Sequence, residues 1–114
     1  MRLLRLLVLP AIVACAVLPA LAAAVPVDFV SVANNAGRNV TFVVKTTPQA
    51  ACEAREDVVI NRALTHVGLG TKTAGDDGNA SWTITFQYSG KRHVTVLCKV
   101  GTDTGSAATD VNVP

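Results

Sequence analysis

The chain has 114 residues, half of them hydrophobic, 16% charged and 4% aromatic, with a formal charge of +2. That length holds one small domain, and the apolar content excludes a disordered tail. From Val25 onward eight basic residues meet eight acids. The body is therefore neutral and lacks the clustered Lys and Arg surplus of a protein that binds nucleic acid or an anionic membrane.

Met1-Arg2-Leu3-Leu4-Arg5 is a short basic head, and Leu6 to Leu21 is almost wholly apolar. Ala20-Leu21-Ala22-Ala23-Ala24 then supplies small residues at the −3 and −1 positions of a signal peptidase. The three features together predict a secretory signal peptide over residues 1–24, cleaved after Ala24, with cleavage after Ala22 also compatible. Two other readings exist for this stretch. An apolar run of about 20 residues is long enough to be an uncleaved anchor, although Pro10, Pro19 and the Ala-rich exit favour removal. Ile12-Val13-Ala14-Cys15 has the shape of a bacterial lipobox, which would acylate Cys15 and tether the protein to a membrane. Against that, the chain stays apolar well past the cysteine.

Loss of the signal leaves two cysteines, Cys52 and Cys98, and an even pair in a small exported domain reads as a disulfide. A catalytic thiol at either position would leave the other without a role.

Beyond the signal the pattern has period two, with nothing helical longer than a turn. Val27 to Val32 is a first strand, ending at the turn sequence Asn34-Asn35-Ala36-Gly37. Asn39 to Thr46 places Val40, Phe42 and Val44 on one face, and Pro48 breaks it. Ala51 to Arg55 starts a third strand with Cys52 and Ala54 on one side. Asp57 to Ile60 either extends it or begins another. Asn61 to His66 reads equally as a helical turn or a loop, and Leu69 to Thr73 as a short strand. Asp76-Asp77-Gly78-Asn79 is a hairpin-type turn. After it Trp82, Ile84, Phe86 and Tyr88 share a face, as do Val94, Val96, Cys98 and Val100 within His93 to Val100. Ala107 to Val113 closes the chain. About seven strands with one apolar face each predict a β-sandwich, one domain over residues 25–114, with Cys98 and Trp82 inside.

Five pieces in order carry a family resemblance: Asn39-Val40-Thr41; Thr47-Pro48-Gln49-Ala50-Ala51-Cys52; Gly68 through Ala74; Asp77-Gly78-Asn79-Ala80-Ser81-Trp82; and Val94-Thr95-Val96-Leu97-Cys98. Over residues 38 to 113 the chain resembles the small single-disulfide immunoglobulin-like domains exported by high-GC bacteria. It differs in an extra alanine before Cys52 and in Trp82-Thr83-Ile84 where such domains often carry Trp-x-Trp. The resemblance implies an immunoglobulin-like fold, an extracytoplasmic setting and a role as an interaction or spacer module.

Chemistry-bearing patterns are sparse. There is no nucleophile elbow, and His66 and His93 read as solvated side chains, one in a loop and one at a strand end. Without His-x-His or Cys-x-x-Cys spacing no zinc site is expected. Asp76 to Asn79 lacks the oxygen ligands of a calcium loop and reads as a turn. Glu53, Glu56 and Asp57 beside Arg55 read as a solvated acidic edge. Asn39-Val40-Thr41 and Asn79-Ala80-Ser81 match the glycosylation sequon by chance in a bacterial chain. Val43 and Leu97, on faces read as outward, are candidates for an exposed apolar patch. The expectation is a non-catalytic, cofactor-free binding or structural module of the cell envelope. Its partner is a protein or an envelope component, with no membrane span after cleavage. An inhibitor acting through Asp57 to Gly70, or a small-ligand carrier, are the alternatives.

Overall fold

A computed structural model describes residues 24–114; the signal-peptide expectation and Cys15 lie outside the described residues, Ala24 apart. Seven strands follow one another: β1 (Val27–Ala36), β2 (Asn39–Thr46), β3 (Ala51–Ile60), β4 (Ala63–Thr73), β5 (Asn79–Thr85), β6 (Gly90–Val100) and β7 (Asp103–Val113). They form two antiparallel sheets, one ordered β1-β2-β5 and the other β4-β3-β6-β7. The fold is a β-sandwich, and no helix among the described residues is long and apolar enough to cross a membrane.

Alternation builds the core. Val40, Phe42 and Val44 of β2 are fully buried and face Val94, Val96 and Cys98 of β6 across the interior. Phe42 stacks on Trp82 with ring centroids 5.4 Å apart, and Phe29 tilts against Phe42 at 6.1 Å. Each such aliphatic or aromatic side chain contributes about 1.5–3 kcal/mol through burial, and aromatic pairs add about 0.5–1.5 kcal/mol.

The Cys52–Cys98 disulfide is present and buried. Its cysteines are direct partners on the neighbouring strands β3 and β6, so it staples one sheet internally and does not join the two sheets. Antibody domains instead bridge sheet to sheet, and in their constant type the fourth strand joins the sheet of the first. Here β4 pairs with β3.

Several strands depart from the sequence reading. β1 runs through Asn34-Asn35-Ala36 to turn only at Gly37-Arg38, accommodated by register shifts against β2. Asp57 to Ile60 extends β3. The turn after it is Asn61-Arg62, both with positive φ, and β4 begins at Ala63, so His66 lies on a strand and not in a loop. The short strand expected over Leu69 to Thr73 is the end of the longer β4, which also contains Gly68. Asp76 to Asn79 is a turn, closed by a bond from Gly78 N to Gly75 O, but it links β4 and β5 of different sheets and so makes no hairpin. β5 stops at Thr85. Phe86 stays buried while Tyr88, expected to face inward, is 60% exposed, as is Val100 to a lesser degree. β6 opens at Gly90 and β7 at Asp103, both earlier than their patterns suggested.

Candidate functional site

The outer face of the four-stranded sheet is set by register. Partners across β4, β3, β6 and β7 fall in rows, and the last row to span all four strands reads His66–Asp57–His93–Asp110. Period two sends these four side chains to the same side, so residues far apart in sequence become neighbours about one strand spacing apart. His66 Nδ1 hydrogen-bonds Asp57 Oδ1. His93 Nδ1 lies 2.9 Å from Asp110 Oδ1, and its Nε2 lies 3.8 Å from Asp57 Oδ2. The Thr95 hydroxyl donates to Asp57 Oδ2 at 2.8 Å.

Asp57 is the hub, its side chain only 13% exposed against nearly half for each histidine. Burial pushes its carboxyl up. The bonds from Thr95 and His66 and the charges of both imidazoles outweigh that and hold it below its ordinary value. A neutral imidazole has one N–H and can serve one carboxylate, whereas the imidazolium can serve Asp57 and Asp110 together. The row therefore ties all four strands by charge-assisted contacts. It has no nucleophile hydrogen-bonded to either histidine, and no group of His, Cys, Asp and Glu among the described residues is arranged to hold a metal ion.

Beyond this row the sheet forks. Pairing of β3 with β6 ends at Asp57–His93, while β3 continues to Ile60 bonded to β4 alone. On the other prong Gly90 to Arg92 of β6 pairs only with β7. That prong stays packed on the sandwich, since Val111 and Val113 are buried and Asn34 Nδ2 donates to the Asn112 carbonyl. The β3–β4 prong leaves it. Val59 is 70% exposed, Leu64 65% and Ile60 50%, and Val67 is exposed as well. Apolar side chains thus cover both faces of a two-stranded ribbon.

The hollow in the fork measures about 470 Å³ and is lined by Val58, Ile60, Val67, Tyr88 and Arg92. Its lining includes a partly buried ion pair, Arg92 Nε to Glu56 Oε2 at 2.5 Å, with the guanidinium 5.7 Å from the Tyr88 ring centroid. The solvated acidic edge expected from Glu53, Glu56 and Asp57 is therefore corrected. Alternation turns Glu56 inward to Arg92, leaves Asp57 in the histidine row, and exposes Glu53 alone.

A second hollow of about 520 Å³ lies toward the other end of the sheet, on its outer face, lined by Glu53, Thr71, Thr73, Leu97, Lys99 and Thr104. Leu97 thus sits half-buried in a cleft, and Val43 lies on the opposite sheet. They form no common patch, because the sandwich separates the two outer faces. Among the sequon asparagines, Asn39 accepts a bond from the Thr85 hydroxyl, and the Asn79 amide is capped by Asp77.

No single-residue pattern signals the histidine row. Only the register of three strand pairs brings its members together, and neither neighbouring side chain nor local spacing encodes that register. The candidate site is thus an apolar, strand-edged fork behind a polar row, carried on a disulfide-stapled β-sandwich. Compared with protein-family models, with curated proteins and with solved structures, the chain matches none.

Proposed function

We propose that this chain is a non-catalytic binding module that works outside the cytoplasm and grips a protein partner with the forked end of its four-stranded sheet. The observation that carries the reading is the β3–β4 prong, whose apolar side chains stand exposed on both faces. Small soluble domains rarely expose a contiguous apolar surface without an interaction that covers it. The signal-peptide pattern of residues 1–24 and the disulfide support an oxidising, extracytoplasmic setting. The resemblance to exported immunoglobulin-like domains of high-GC bacteria supports the same assignment.

The test is a photo-crosslinking residue introduced at Leu64, or separately at Val32 on the outer strand of the other sheet, in protein exported by its producing cells. Discrete adducts from position 64 and none from 32 are expected. Equal labelling from both positions, or none from 64, would count against the reading. A second reading, a small-ligand carrier, is favoured by the 520 Å³ cleft at Leu97, which lies within the usual range for ligand pockets. A Leu97→Arg variant that loses a co-purifying small molecule while keeping the crosslinks at 64 would favour it.

A further inference from the structure

We infer, building on the binding reading above, that the fork receives an extended, carboxylate-bearing segment of the partner, which adds to the vacant edge of β3 as a new strand. The backbone carries the argument. Val58 to Ile60 have lost β6 as a neighbour, and Gly90 to Arg92 have lost β3, so each prong turns an unpaired row of N–H and C=O groups toward the gap. No other backbone hydrogen bond among the described residues engages either row. An extended chain is the complement of such an edge, since its own N–H and C=O groups supply the missing ladder and its alternate side chains enter the hollow. The hollow offers Val58, Ile60 and Val67 to those side chains, with Tyr88 as the opposite wall.

Charge selects the segment. From Val58 to Thr73 there is no acidic residue, whereas Arg62 stands at the tip. Lys91 belongs to the facing prong, and neither cation forms an ion pair among the described residues. The acids that border the fork are already engaged, Glu56 by Arg92 and Asp57 by the two histidines. A carboxylate on the incoming strand meets two free cations. A second copy of this chain would bring its own Arg62 and Lys91 to the fork and no free acid, since its Glu56 and Asp57 are engaged. A bilayer would leave both backbone rows unsatisfied in hydrocarbon, at several kcal/mol for each group.

Isotope-labelled protein titrated with the capped peptide Val-Asp-Val-Asp-Val tests this by amide shifts and hydrogen exchange. The expected result is shifts confined to Val58–Ile60, Gly90–Arg92 and Tyr88, with slowed exchange at the edge amides. Two control peptides, one N-methylated at alternate residues and one with Lys for Asp, are expected to bind at least roughly tenfold more weakly. Arg62→Ser is expected to weaken the acidic peptide and leave a Val-Thr-Val-Thr-Val peptide unchanged. Equal binding of the N-methylated peptide, shifts produced by phosphatidylglycerol vesicles in place of peptide, self-association through the fork, or no shift at millimolar peptide would each overturn the inference. If crosslinks at Leu64 persist while the peptides fail, strand addition falls and the binding reading stands. If both fail, the binding reading falls with it.

Discussion

Asp57 concentrates more of this molecule's electrostatics than any other described side chain. Its carboxyl is held below the ordinary value of 3.8, so the folded state binds a proton there less readily than the unfolded chain does. The stability this contributes is present above the unfolded value and is lost as pH falls through the folded one. Asp57→Asn is therefore expected to lower stability at neutral pH and to flatten the acid limb below pH 3.8. Urea midpoints measured across that range check it; an unchanged acid limb would remove Asp57 from the account. Gly105 is a second single-residue constraint. A Cβ there would lie 1.7 Å from the Val25 carbonyl oxygen, and Val25 N donates to the Thr104 carbonyl at 3.1 Å. Gly105→Ala is expected to displace the backbone at Val25 and cost about 1–3 kcal/mol, the usual range for overpacking, again read from the urea midpoint. Core residues were legible at this scale, because Val40, Phe42, Val44 and Trp82 announce themselves by alternation. The partners of Glu56 and His66 were not. Arg92 lies 36 residues from Glu56, and nothing local ties them.

At the scale of elements the β3–β4 ribbon is the unusual piece. Its two-residue turn needs positive φ at both central positions, and such turns favour Asn-Gly. This chain uses Asn61 and Arg62, at φ 52° and 67°. A left-handed conformation costs a side-chain-bearing residue about 1–2 kcal/mol. Arg62→Gly is therefore expected to raise stability by about 1 kcal/mol after the added freedom of glycine in the unfolded chain is subtracted, while crosslinking from Leu64 decreases. A thermal melt and the crosslinking yield report the two effects separately. A stabilised variant with undiminished crosslinking would mean that the arginine is not used for binding. Without Gly at the turn nothing in the sequence marks Asn61-Arg62 as a hairpin, so Asn61 to His66 reads equally as a helical turn or a loop. The bulge at Leu69 was hidden for a related reason. It adds one residue to β4 between Gly68 and Gly70, which breaks the alternation just where a strand had to be recognised. It also turns the Gly70 carbonyl to Trp82, whose Nε1 donates to it at 3.1 Å.

The whole molecule depends on one covalent tie and on where its sheets end. The disulfide closes a separation of 46 residues, and loss of such a closure costs about 4 kcal/mol in the loop-entropy picture. Cys52→Ser with Cys98→Ser is expected to lower stability by that order, measured by denaturant unfolding. Strand number, the two-layer architecture and the disulfide pair all followed from period-two patterning and cysteine parity. Sheet membership did not, since alternation tells which face of a strand is buried but not which neighbour it pairs with. The assignment of β4 to β3, and the fork that results, came only with the fold. On that fork rests the claim that this end of the sandwich is built for recognition. Amide hydrogen exchange of the free protein tests it most directly. Fast exchange is expected at those amides of Val58 to Ile60 that point away from β4 and at those of Gly90 to Arg92 that point away from β7, beside slow exchange at Val94 to Cys98. Slow exchange at both rows would mean that β3 and β6 remain paired past Asp57 and His93, leaving no open edge for a partner to join.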